Sequence, residues 1–208
     1  MAYETLGSRD VERFLAEFHD IAPDQQSAYA GRLKHLSRQG FPPGVGAGRG
    51  TPAQYDADQF FQMVTVAELG QFGVPPARAI RLVTEAWPRL RETVLQVWLA
   101  IDASQRSGMP AEVEPAFWRV PAEALRDMAR RDRGYSPDSS DTLVAMTPDE
   151  VDAVMKGGGY NVRRQAFVVA HQLIQDVLQQ LRFGHLGMPF DRLAAFMRPM
   201  LLPPTVEV

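Results

Sequence analysis

Apolar residues recur at steps of three and four along five stretches of this chain, whereas only two short apolar runs lack that period. At 3.6 residues per turn, such steps stack side chains on one face of an α-helix. The sequence therefore predicts a mainly α protein with at most a small β ribbon. Val11, Phe14, Leu15 and Phe18 make the first stripe. Ser8 is the expected N-cap, and Asp10 falls in the first turn, where the helix dipole favours an acid. This helix should end near His19-Asp20. Ile21-Ala22-Pro23 reads as a turn, with Pro23 or Asp24 opening a second helix. Tyr29, Leu33 and Leu36 face inward there, and Gly40 is its C-terminal stop. Two short helices across a tight turn form a helix-turn-helix unit.

Charge singles out the same region. The chain carries a formal net charge of -3, yet no Asp or Glu occurs between Gln25 and Tyr55. That window holds Arg32, Lys34, His35, Arg38 and Arg49. A local basic patch suffices to attract nucleic-acid phosphate even on an acidic protein. Phe41-Pro42-Pro43 stops the second helix, and GVGAGRGTPAQY follows. Its alternate glycines leave the backbone free to turn. The loop reads as a wing beside the second helix, with Arg49 at its tip on phosphate or in the minor groove. A nucleotide-phosphate cradle is the weaker alternative, since no Gly-Lys-Ser/Thr follows and no apolar strand precedes.

Asp56 or Asp58 begins a third helix with Phe60, Val64 and Ala67 on one face, ending at Phe72-Gly73. Pro75-Pro76 opens a fourth, carrying Ile80 and Val83. Residues 9–83 in this order resemble the DNA-binding domain of MerR-type regulators. Leu33-Lys34-His35-Leu36-Ser37-Arg38-Gln39-Gly40-Phe41 resembles that family's Leu-Arg-Tyr-Tyr-Glu-x-x-Gly-Leu signature. Arg49 and Tyr55 resemble its Arg-x-Tyr, and Phe72-Gly73-Val74-Pro75 its Leu-Gly-Phe-Ser. Ile80 stands where the family has its next core isoleucine. The chain departs from the signature at His35, Leu36 and Ser37, and its loop is richer in glycine. The resemblance implies a winged helix-turn-helix that binds duplex DNA.

Docking of such a unit puts the start of the second helix into the major groove. Gln25, Gln26 and Ser27 are then the candidates for base edges. Arg32, Lys34, His35, Arg38 and Arg49 complete the contact set, the lysine and arginines on phosphate.

Beyond this unit, Trp87, Leu90, Val94, Val97, Trp98 and Ile101 form a strong amphipathic stripe. Pro88 suits only a first turn, so a break near Ala86 is expected. In the resembled family a helix here pairs two subunits; a core helix of one chain fits the stripe equally. After the linker Ser107-Gly108-Met109-Pro110 come two strand-then-helix units. Phe117–Glu123 is one and Leu143–Glu150 the other, and their strands pair in a two-stranded ribbon. In the second, Thr147, Pro148 and Glu150 form a capping box. The arginine-bearing stretch Arg130–Asp141 reads as a solvated loop, with DNA contact the weaker alternative. A long helix is expected from Asn161 to Arg182, its Phe167, His171, Ile174, Leu178 and Leu181 spaced as a coiled-coil seam. This seam is favoured over the Trp98 stripe as a dimerisation surface. His171 within it reads as a packed, hydrogen-bonded histidine. Pro189–Met200 is a last short helix.

The expected organisation is thus a DNA-binding domain at 1–86, a connecting or dimerisation helix at 87–106, and a helical regulatory or oligomerisation domain at 107–208. The chain has no cysteine, which excludes disulfides and thiolate metal sites. It shows no signal pattern and no apolar run of about 18 residues, so a cytoplasmic, nucleoid-associated protein is expected. Protease, hydrolase and nucleotide-binding motifs are missing, so neither catalysis nor a cofactor or metal is expected. The function expected is a sequence-specific transcription regulator acting on double-stranded DNA as a homodimer, with RNA polymerase a possible partner. The alternative is an interaction factor of the same fold, bound to RNA polymerase or a phage-type assembly, without specific DNA readout.

Overall fold

The computed structural model describes residues 4–45, 52–121, 142–156 and 165–202. Strand β1 (Leu6–Gly7) leads directly into helix α1 (Ser8–Phe18). The N-cap is Gly7, one residue earlier than expected, because the Asp10 carboxylate reaches back and accepts the Gly7 N–H at 3.3 Å. Asp20 turns the chain with φ 50, and Pro23–Gln25 forms a single 3-10 turn. Helix α2 follows (Gln26–Arg38). Gly40, at φ 75, ends it as expected. There the Phe41 N–H donates to the Leu36 carbonyl at 3.2 Å, returning buried Phe41 to the core.

Strand β2 (Gln54–Tyr55) pairs antiparallel with β1, Leu6 opposite Tyr55. Asp56 then caps α3 (Ala57–Gln71) by a reciprocal pair. The Gln59 N–H donates to Asp56 Oδ1 at 2.9 Å, and the Asp56 N–H donates to Gln59 Oε1 at 3.1 Å. Phe60, Phe61, Met63, Val64, Val66 and Leu69 are all buried, and so are Gln62 and Thr65, so the middle of α3 is buried nearly all round.

Helix α4 (Pro76–Ser107) runs unbroken through Pro88, against the break expected near Ala86. Proline in a helix interior costs about 3 kcal/mol. Leu82 and Val83 before it, and Leu90, Val94, Val97 and Trp98 after it, are buried on one continuous helix. Each such side chain contributes roughly 1.5–3 kcal/mol on burial, so the stripe outweighs the proline.

A three-stranded antiparallel sheet has the order β4-β3-β5, with β3 at Phe117–Pro121, β4 at Val144–Met146 and β5 at Gln165–Val169. The expected pairing is present, Phe117 opposite Met146. The third strand replaces the start of the expected long helix: β5 covers residues read as helical, and helix α6 spans only Ala170–Phe183. Val168 and Val169 are β-branched, and β3 offers five residues of ladder to this segment. Trp118 and its cross-strand partner Val168 are both buried. Helix α5 (Pro148–Lys156) carries the expected capping box. The Thr147 N–H donates to Glu150 at 2.8 Å, and the Glu150 N–H donates to Thr147 Oγ1 at 3.3 Å. Helix α7 (Phe190–Met197) and a 3-10 turn (Arg198–Leu201) finish the described chain.

The protein is thus mainly helical, with two small antiparallel sheets among the described residues. It divides into two compact units, Met1–Ala67 with Gln175–Val208, and Glu68–Ile174. This differs from the expected boundary at residue 86: the first unit includes the C-terminal segment. Within it the Phe60 ring meets Phe14 edge-on at 5.0 Å and Phe196 at 5.8 Å. Arg192 also donates to the Glu4 carboxylate at 2.8 Å. Among the described residues no helix is long and apolar enough to cross a membrane.

Candidate nucleic-acid interface

Helix α2 buries only Tyr29, Leu33 and Leu36. Gln25, Gln26, Ser27, Arg32, Lys34, His35 and Arg38 are all exposed. At 3.6 residues per turn, Ser27, Lys34, His35 and Arg38 lie opposite the buried stripe, while Gln26 and Arg32 flank it. The structure thus gathers most of the expected contact residues on one solvent face. Among the described residues, Arg32, Lys34 and Arg38 have no ion pair, so their charge is directed to solvent.

Two details modify the expected set. Gln25 belongs to the 3-10 turn, not the helix, and its amide donates to Asp24 at 3.1 Å. His35 Nε2 lies 2.8 Å from the Gln39 amide nitrogen, one turn further on, which holds the ring along the helix. Arg49 lies outside the described residues, as does the cluster Arg130–Arg133. The ends of the glycine loop are anchored within the first unit. Gln59 donates to the Pro43 carbonyl at 3.1 Å, and the Ser8 N–H donates to the Ala53 carbonyl at 3.2 Å.

The expected dimerisation residues take other places. Phe167 is on strand β5, opposite Arg119, so it cannot continue a helical seam. His171 Nδ1 lies 3.1 Å from the Ala116 carbonyl oxygen, and its ring packs edge-on against Phe117. Ile174, Leu178 and Leu181, like Trp98, are at most 3% exposed within the single chain. Strand pairing and burial therefore consume the seam that spacing alone offered to a second copy.

One contact, between His185 and Glu17, had no local sequence signal. His185 Nδ1 approaches the Glu17 carboxylate at 2.7 Å, and Arg13 reaches the other oxygen at 2.9 Å. Burial raises the Glu17 pKa, but the hydrogen bonds and charges of Arg13 and His185 outweigh it and hold the carboxyl below the usual range. Among the described residues no group of three His, Cys, Asp or Glu is placed to hold a metal ion. No protein-family model, curated protein or solved structure matches this chain.

Proposed function

We propose that this chain is a transcription regulator that binds duplex DNA through a MerR-like winged helix-turn-helix at residues 9–83. What carries the proposal is the face of α2, acid-free from Gln25 to Tyr55 and open to solvent. Short helices α1 and α2 across a tight turn supply the frame; the wing is assigned to the loop before β2, of which residues 46–51 lie outside the described residues. Ser27 and Gln26, in the first turn of α2, are assigned to base edges. Arg32, Lys34 and Arg38 are assigned to phosphate, where charge matters more than identity. A homodimer on two half-sites belongs to the same proposal, as single units of this kind contact few base pairs.

The test is fluorescence anisotropy on specific and scrambled duplexes at two salt concentrations, after mapping the chromosomal sites the protein occupies. A steep fall of affinity with salt supports DNA binding. Absence of any salt-dependent binding to duplex sinks it and leaves the interaction factor, whose surface would be the same exposed face of α2.

A further inference from the structure

A cleft of about 170 Å³ opens among α1, α2, α3 and β2 in the first unit. Its floor is Val11, Leu33, Tyr55 and Met63, none more than 4% exposed. Its rim carries Glu12 from α1 and Lys34 from α2. These opposite charges are not satisfied by each other: among the described residues neither has an ion pair or hydrogen bond. The cleft therefore combines an apolar floor with one cation and one anion on its rim.

Charge decides what fits. A small phosphate held inside the cleft by Lys34 would meet the Glu12 carboxylate on the same rim, and a simple amine held there by Glu12 would meet Lys34. A molecule carrying both signs satisfies both walls. Size narrows it further, because the cleft is smaller than the roughly 300 Å³ at which drug-sized sites begin. We propose that this cleft binds a small zwitterion of the α-amino-acid class with an apolar side chain. Its ammonium group meets Glu12, its carboxylate meets Lys34, and its side chain lies over Val11, Leu33, Tyr55 and Met63. This site shares Lys34 with the DNA proposal but does not rest on it, since its occupancy is measured without DNA.

The experiment titrates the full-length, 15N-labelled protein with L-leucine, L-methionine and L-phenylalanine. Leucinamide, N-acetyl-leucine and inorganic phosphate serve as probes that carry charge of one sign only. At least one amino acid is expected to move the amide signals of Ser8, Glu12, Lys34 and Ala53 saturably, with Kd at or below about 1 mM. Removing either charge from the ligand should weaken binding about tenfold or more, as should Glu12→Gln or Lys34→Met on the protein. Neither position is buried, and amide spectra of both variants check that the fold is intact. The proposal is overturned if none of the three amino acids gives a saturable shift. It is equally overturned if phosphate or a single-charge derivative binds as tightly as the parent amino acid, or if neither substitution weakens binding.

Discussion

His185 Nδ1 lies 2.7 Å from Oε2 of Glu17, linking positions 168 residues apart in sequence. The contact joins the C-terminal segment to α1, and Arg13 holds the other carboxylate oxygen. Because the folded Glu17 carboxyl titrates below its ordinary value of about 4.3, its contribution is present above that pH and is lost as pH falls through the folded value. Glu17→Gln should lower stability at pH 7 by less than about 1 kcal/mol, since the group is partly solvent-screened. The wild-type advantage should be smaller at an acidic pH, below the folded value, than at pH 7. Urea denaturation at the two pH values checks this, and an equal difference at both would refute it.

Phe60 contacts both Phe14 of α1 and Phe196 of α7. Phe60→Ala should therefore cost about 3–5 kcal/mol. For the same reason a fragment ending at residue 86, which lacks Phe196, His185 and Arg192, should not hold the native packing of α1 and α3. A dispersed amide spectrum from that fragment, matching the full chain, would show that the C-terminal segment is dispensable.

Ile174 is 1% exposed in the single chain. Ile174→Ala should cost about 2–5 kcal/mol. Ile174→Asp should unfold the protein and not release folded monomers, because it buries an unpaired charge. Sedimentation combined with circular dichroism separates the two results.

Helix α5 has no buried residue, so its local cap carries much of its stability. Thr147→Ala removes the acceptor at 3.3 Å from the Glu150 N–H and should cost about 0.5–2 kcal/mol. Because little packing opposes its opening, the loss should appear as faster hydrogen exchange in residues 148–156 with little change in the main melting transition.

On the proposed DNA face, Arg32→Ala should weaken binding to all duplexes alike and reduce the salt slope by about one. Gln26→Ala should cost on the order of 1–3 kcal/mol at the preferred site and little elsewhere. Anisotropy titrations on specific and scrambled duplexes distinguish the two behaviours. An unchanged slope for Arg32→Ala would mean that this side chain is merely solvated.

Local chemistry determined much of the chain in advance. The stripe Tyr29-Leu33-Leu36, the stop at Gly40 and the Thr147–Glu150 box follow from periodicity and capping, which act within a turn or two. The exposure of Arg32, Lys34 and Arg38 follows too, since burying one stripe of a helix leaves the other face in water. Tertiary structure decided the rest. Residues 165–169 have a spacing that suits a helix, yet they pair with β3, because backbone hydrogen bonds to a distant strand outweighed a local pattern. Pro88 stays inside α4 because buried side chains on both sides offset its cost. The Glu17–His185 contact and the cleft between Glu12 and Lys34 bring together groups with no sequence spacing in common. Such pairings are created only when separate elements pack, and no period along the chain encodes them.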